Sequence, residues 1–260
     1  MNQEYLEFVK DIAYHAKEII LKYFNSNITN SYKDDNTIVT IADKEINDYL
    51  IKEVKRNFPN HAVDGEEKRF GSSNYIWVCD PIDGTAMYAR GIPVCVFSLA
   101  LVVDGNPVVG VVYDPFLDNM YTAIKGCGAY KNNQKINVNN YKLDDIRSVG
   151  HYDMIRLFDY DIYDCIKKLS KKLYFVSIGS IIRASMCVAC GEFTLAIFPG
   201  TDHKNCDIAA VKVIVEEAGG IVTDLFGCNQ RYDKSIKGAL ISNKIVHDEI
   251  VDIINTYIKK

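Results

Sequence analysis

Two Val- and Leu-rich runs, residues 94–103 and 107–113, flank the tripeptide Asp104-Gly105-Asn106. Apolar runs of that length on either side of an Asp-Gly turn predict a β-hairpin, and the hairpin commits this part of the chain to a sheet. Tyr75–Cys79 reads as a short strand before it, and strand-like runs continue through Met120–Ile124 and Ala129–Asn137. Upstream, Leu6, Val9, Ala13, Ala16, Ile20 and Tyr23 recur at helical spacing. Ile46, Tyr49, Leu50 and Val54 mark one face of a second helix, about Ala42–Asn57, stopped near Pro59. The first half therefore reads as two helices packed on a largely antiparallel sheet.

After about residue 140 helix and strand alternate. A helix around 154–171 precedes a strand at Tyr174–Ser177, and a helix from about Ser180 precedes a strand at Phe193–Ile197. Another helix begins near Asp207 and ends at Gly219-Gly220; a strand at Ala239–Ser242 leads to a last helix from about Val246. Such alternation suggests sheet layers covered by helices. We divide the chain into an N-terminal α+β half, 1–140, and a C-terminal α/β half, 141–260. No repeat, low-complexity tract or Pro-rich linker separates them.

With 48% hydrophobic and 25% charged residues, the 260-residue chain has ample material for a core. A net charge of −4 and a pI of about 5.8 argue against nucleic acid as a partner. They do not argue against an anionic substrate, because a bound metal can invert the local sign. No stretch approaches the ~18 apolar residues of a membrane span, and Met1–Tyr5 lacks the features of a signal peptide, so a cytoplasmic protein without membrane partners is expected. Without export the eight cysteines are expected reduced. The Cys187/Cys190 pair lies in an apolar helical run and reads as buried helix residues rather than a redox or zinc site.

The most informative stretch for chemistry is Asp80-Pro81-Ile82-Asp83-Gly84-Thr85. A strand ending at Asp80, followed by a Pro- and Gly-punctuated turn, can aim both carboxylates at one spot, as a Mg²⁺ site requires. A helix starting after Gly84 would add free N–H groups suited to a phosphate. The same residues also suit an ordinary surface turn. Asp64-Gly65-Glu66-Glu67 reads equally as solvated acids, and Asp207 as an N-cap or first-turn acid of its helix.

In combination these segments resemble the inositol monophosphatase family, within the lithium-sensitive, metal-dependent phosphatases that include fructose-1,6-bisphosphatases. The family's Gly-Glu-Glu motif matches Gly65-Glu66-Glu67, and its Asp-Pro-Ile-Asp-Gly-Thr motif matches residues 80–85 unchanged. Its Trp-Asp-x-Ala-Ala and Glu-Ala-Gly-Gly motifs match Cys206–Ala210 and Glu217–Gly220. Lys33 through Asp43, Gly91-Ile92-Pro93, Gly110–Pro115 and Gly179-Ser180 extend the likeness over nearly the whole chain in order.

The resemblance implies a mixed α+β and α/β fold, a layered α-β-α-β-α sandwich with the site between its halves. It implies a magnesium-dependent phosphomonoesterase, lithium-sensitive and commonly a homodimer, with two or three Mg²⁺ per site and Mn²⁺ as a substitute. By the family's pattern Glu66, Asp80 and the Ile82 carbonyl would hold one ion, and Asp80, Asp83 and Asp207 a second. Asp43 would reach a third through water. Thr85 would orient the attacking water with Glu66, and the Gly84 and Thr85 N–H groups would hold the phosphate. Two metals suit in-line displacement at a dianionic ester, and clustered carboxylates without one would repel.

Departures from the pattern bear on substrate. Cys206 stands where the family has Trp, and Ala86-Met87-Tyr88 where it often has Thr-Asn-Phe. Gly200 stands where inositol-selective members carry a Glu, in a segment, Phe198 to Lys204, about two residues longer than usual. His203 and Lys204 nearby, with Gly179, Ser180 and Arg183 at a helix start, are candidate substrate contacts; His203 and Arg183 read equally as surface residues. A small phosphorylated metabolite is the expected partner, inositol-1-phosphate or a related sugar or polyol phosphate. Fructose-1,6-bisphosphate and histidinol phosphate are alternatives, and 3′-phosphoadenosine 5′-phosphate ranks below them because Arg69–Asn74 is short. A regulatory binding protein that keeps the fold is the non-enzyme alternative.

Overall fold

The computed structural model describes residues 2–26, 31–32, 38–153, 160–200 and 204–258. Helix α1 (Asn2–Tyr23) is followed by a two-stranded ribbon, β1 (Ser31–Tyr32) and β2 (Ile38–Val39), and by α2 (Ile41–Asn57). Thr40 and Asp43 form a capping box at the start of α2. An eight-stranded sheet comes next: β3 (Ala62–Gly65), β4 (Arg69–Phe70), β5 (Tyr75–Asp83), β6 (Val96–Val103), β7 (Asn106–Asp114), β8 (Asn119–Ile124), β9 (Ala129–Lys131) and β10 (Gln134–Lys135). Its order is β10-β9-β8-β7-β6-β5-β3-β4, antiparallel except between β3 and β5. The one-turn helix α3 (Thr85–Tyr88) interrupts it after β5.

A second sheet contains β11 (Val149–Tyr152), β12 (Tyr174–Val176), β13 (Leu195–Phe198), β14 (Ile221–Thr223) and β15 (Ala239–Ser242) in the order β12-β11-β13-β15-β14. Between these strands run α4 (Tyr163–Leu169), α5 (Ile181–Ala189) and α6 (Asn205–Glu217), and α7 (His247–Tyr257) ends the chain's described part.

Side-chain alternation along the strands sorts these elements into five layers. Trp77 and Cys79 of β5 face a core shared with α1 and α2, while Val78 faces the opposite core, built on α5 and α6. On β13, Ala196 and Phe198 face that same α5–α6 core, whereas Leu195 and Ile197 face α4 and α7. Each sheet is thus buried on both faces, which is why its strands read as near-continuous apolar runs. Fully burying one such Leu or Val side chain stabilises the fold by about 1.5–3 kcal/mol. The result is an α-β-α-β-α sandwich whose middle helical layer joins the two sheets.

The expected hairpin forms with a two-residue loop, Asp104 (φ 50°) and Gly105 (φ 85°), and Asn106 already belongs to β7. Several boundaries differ from the sequence reading. The run 129–137 breaks into β9 and β10 because Asn132 and Asn133 adopt positive φ. β1 to β4, β11 and β14 were not predicted, being too short to show a period. Of the helix expected at 154–171, the described part is Tyr163–Leu169, and residues 154–159 lie outside the described residues. Helix α6, expected to begin near Asp207, starts two residues earlier at Asn205. Cys187 on α5 and Cys190 at its C-cap are half-buried rather than buried.

Candidate active site

Strand β5 does not end at Asp80 as the sequence suggested. It runs on to Asp83, with a bulge: Asp80 pairs with Ser98 and Asp83 with Val96, so Pro81 and Ile82 oppose Phe97 alone. Pro81 has no N–H to give the ladder, and a bulge is where a strand tolerates that loss. The extra residue turns the chain so that carboxylates three positions apart no longer project to opposite faces. Local bonds fix this shape: Ile82 N–H donates to Asp80 Oδ1 at 3.0 Å, and Thr85 Oγ1 donates to Ile82 O at 2.7 Å.

Gly84 follows with φ 88°, and a Cβ there would stand 2.8 Å from Val94 O and 3.1 Å from Gly179 O. Gly179 has φ 81°, and a Cβ on it would lie 2.9 Å from Met87 Cγ. The two glycines let the β5 turn and the start of α5 approach backbone to backbone. Across that contact Ser180 Oγ donates to Asp83 Oδ2 at 2.5 Å, and Ile182 N–H donates to the same oxygen at 2.8 Å. Ser180 also N-caps α5, accepting from Arg183 N–H at 3.1 Å.

Glu66 sits on the turn between β3 and β4. Asn47, from α2, braces that turn: its Oδ1 accepts the Glu67 and Lys68 N–H groups and its Nδ2 donates to Lys68 O. From the other half, α6 brings Lys204 at its N-cap and Asp207 in its first turn. Lys204 Nζ lies 2.9 Å from Glu66 Oε1, and Asn205 Nδ2 donates to Asp64 Oδ2 at 2.9 Å. Cys206 Sγ–H points to Asp207 Oδ1 at 3.4 Å, so the thiol that replaces the family's Trp touches the last aspartate directly.

These acids are electrostatically uncomfortable together. Burial, then the charges of Glu66, Asp207 and Asp83, push the Asp80 carboxyl well above the usual range. Burial and the Asp207 charge push Asp83 up to about 8, and burial raises Asp207 to about 6 against the opposing pull of Lys204. Asp43 is 1% exposed; burial raises it to about 7. One Asp43 oxygen accepts from Thr40 N–H and Oγ1–H at 2.8 and 2.6 Å, while the other, Oδ1, is buried without a partner.

Hard oxygen donors carrying uncompensated charge, with an orphaned buried carboxylate oxygen beside them, fit a divalent cation centre. Among the described residues no three acidic, His or Cys side chains converge closely enough to enclose an ion as they stand. Like charges spread, and Glu66 leans on the Lys204 ammonium. The anticipated α3 is a single turn, so the left-handed Gly84 turn, rather than a long helix dipole, supplies the N–H groups there. Arg183 donates to Pro93 O at 3.2 Å and lies 3.6 Å from Asp114 Oδ2. His203 lies outside the described residues. An open cleft of about 450 Å³ flanks Glu66, lined also by Asp64, Arg69 and Cys206.

The model of the Inositol monophosphatase family matches residues 1–259. The chain belongs to the inositol monophosphatase family. With it the chain falls among the phosphoric monoester hydrolases. It is 31% identical to "Inositol monophosphatase 1" of Solanum lycopersicum over 237 residues, 86% of each chain. It is 33% identical to "Fructose-1,6-bisphosphatase/inositol-1-monophosphatase" of Thermotoga maritima over 227 residues, 86% of this chain and 84% of that one. Among solved structures, an IMPase/NADP phosphatase complexed with Mg²⁺ and phosphate superposes with a TM-score of 0.85 at 26% identity, covering 98% of this chain and 96% of that one. Sequence reasoning read Asp64 as a solvated acid and passed over Asn47, which braces the Glu66 turn, and Asn205, which ties the α6 start to Asp64. Their signal was adjacency to the acidic motifs, which single residues of common type do not advertise.

Proposed function

We propose that this inositol monophosphatase family member hydrolyses the monoester of a small polyol or sugar, inositol-1-phosphate or a related ester, at the carboxylate cluster. The observation that carries the reading is the β5 bulge, which turns Asp80 and Asp83 toward the same centre that α6 supplies with Asp207. Glu66, Asp80, the Ile82 carbonyl, Asp83 and Asp207 would hold two Mg²⁺, with Asp43 serving a third through water; Mn²⁺ has the same donor preference. When bound, such ions neutralise phosphate oxygens and acidify a water.

The chain's own groups do the positioning. Thr85 Oγ1 spends its proton on Ile82 O, so its lone pairs are free to accept a hydrogen bond from the attacking water. Glu66, on the braced turn, accepts the water's other proton. Gly84 and Thr85 N–H groups take a phosphate oxygen in the left-handed turn. Gly179 and Ser180 close the same wall, and Lys204 borders it from the α6 side. A cytoplasmic homodimer completes the reading.

The test is phosphate release from inositol-1-phosphate, fructose-1,6-bisphosphate, histidinol phosphate and 3′-phosphoadenosine 5′-phosphate, with Mg²⁺ and with chelator. Metal-dependent turnover with a preference among the four names the substrate class. Absence of turnover on all four, in a folded protein, would overturn the reading in favour of a binding role.

A further inference from the structure

Two ties join the start of α6 to the β3 end of the first sheet, and a cation would treat them differently. The Lys204 ammonium lies 2.9 Å from Glu66 Oε1, so it occupies an oxygen that the metal would claim. The second tie involves none of the proposed ligands: Asn205 Nδ2 donates to Asp64 Oδ2 at 2.9 Å. Asp64 and Asn205 stand immediately before the matched motifs Gly65-Glu66-Glu67 and Cys206–Ala210, and belong to neither.

Strand geometry explains why the pair meets. Side chains alternate along β3, and Val63 faces the α1–α2 core, so Asp64 faces the α6 layer. Arg69, opposite Asp64 in the β3–β4 pairing, places Nε 2.5 Å from Oδ1, which leaves Oδ2 to Asn205. Asn205 is buried, and its Nδ2 also donates to Tyr232 O at 3.0 Å, so both amide protons are spent. The Tyr232 N–H donates in turn to Gly105 O, at 2.9 Å, in the β6–β7 turn. The first residue of α6 is thus tied to β3 on one side and, through Tyr232, to the β6–β7 turn on the other. Removing either acceptor would leave a buried N–H unpaired, which such a site resists.

Asp207 lies two residues beyond Asn205 in the same helical turn, and Glu66 lies two residues beyond Asp64 on the turn that Asn47 braces. A slide or rotation of the α6 start would therefore move the Asp207 carboxylate relative to Glu66. A cation that engages Glu66 competes with the Lys204 ammonium, whereas the bond between Asp64 and Asn205 has no part in that competition. We propose that Asp64 and Asn205 are positioning residues: their hydrogen bond, anchored by Arg69, sets the separation of Glu66 from Asp207 and so pre-arranges the two halves of the centre for a divalent cation. This rests on the metal-dependent reading above and adds a determinant of cation affinity outside the ligand set.

The experiment follows the melting temperature of wild type, Asp64→Ala, Asp64→Asn, Asn205→Ala and the Asp64→Ala/Asn205→Ala double variant across a Mg²⁺ titration without substrate. A ligand that binds only the folded state stabilises it once its concentration passes Kd, so the onset of the rise reports affinity. Each alanine variant should raise that onset concentration about 10-fold, as loss of groups that orient metal ligands typically does. The double variant should be no worse than the poorer single, because the two residues act as one bond. Asp64→Asn keeps an oxygen for Asn205 Nδ2 but loses the Arg69 anchor, and should fall between. Turnover of inositol-1-phosphate should show the same rise in Mg²⁺ requirement, with KM for the ester at saturating Mg²⁺ unchanged. A lower melting temperature in chelator with an unmoved onset would mark a purely structural pair and overturn the proposal. A moved onset in Asp64→Ala but not in Asn205→Ala would also overturn it, since the charge of Asp64 alone would then be responsible, and so would additive losses in the double variant. Asp64→Asn carries the test if an alanine variant does not fold, and an unmoved onset there overturns the proposal. A wild type whose melting temperature ignores Mg²⁺ would instead defeat the metal-dependent reading, and the proposal with it.

Discussion

Asp80 and Asp83 stand on a strand paired with β6 and, up to Cys79, with β3, in the middle of an eight-stranded sheet. Lys204, Asn205 and Asp207 stand at the start of α6, where side-chain bonds from Lys204 to Glu66 and from Asn205 to Asp64 tie them to the first sheet. In the first region main-chain ladder bonds set the spacing of the acids. In the second, a change of one side chain changes what reaches the centre. The difference teaches where each property would reside on the proposed function: the hydrolytic chemistry in sheet register, and selectivity in the α6 side chains that meet it.

The largest effect should come from the register side. Asp83→Asn keeps an oxygen for the Ile182 N–H but removes a charge, so turnover with saturating Mg²⁺ should fall at least about 100-fold. The same change relieves repulsion with Asp207 in a group whose carboxyl is pushed up to about 8. The melting temperature in chelator should therefore hold or rise. A near-normal rate would remove Asp83 from the site, and a large loss of melting temperature would make it a structural residue.

A second test uses proton linkage on Asp43, which α2 contributes from the opposite face of β5. Its folded-state carboxyl is raised to about 7 by burial, against 3.8 in the unfolded chain. The folded state therefore binds the extra proton, and stability falls as pH rises between these two values. In chelator the melting temperature should drop from pH 5 to pH 7.5, by an amount equivalent to about 1.4 kcal/mol for each tenfold gain in proton affinity on folding. Asp43→Asn should flatten that slope, and added Mg²⁺ should offset it. A slope unaltered in the variant would assign the pH dependence to the other acids.

How much of this was legible in the sequence follows the same division. The hexapeptide 80–85 located the acids, but as a turn rather than a bulge, because Pro81 interrupts the apolar alternation that identifies a strand. The α1, α2 and β6–β7 elements were legible, since each presents a long period to one core. β11 was not: Val149–Tyr152 is four residues with Gly150 and His151 inside it, and its pairing on both sides comes from residues 174–176 and 195–197. Lys204 was singled out for a second phosphate, and its contact with Glu66, 138 positions away, is set by the packing of α6 between the sheets, which no local pattern encodes.

That contact defines the smallest expected effect. The Lys204 ammonium shares Glu66 with whatever else the carboxylate binds, and Asp207, Glu66 and Asp80 together hold its proton affinity well above the usual range, so it stays charged throughout the working pH. Replacing it removes a resident positive charge from beside a cation site, and a partly exposed pair of this kind is worth about 1 kcal/mol or less. Lys204→Ala should accordingly lower the Mg²⁺ concentration for half-maximal activity by about threefold, and lower the Mg²⁺ concentration that raises the melting temperature by the same factor. A Mg²⁺ requirement unchanged while KM rises selectively for fructose-1,6-bisphosphate would return Lys204 to the substrate. In that outcome a cation from α6 would set selectivity, and the bisphosphate reading would regain ground against the polyol one.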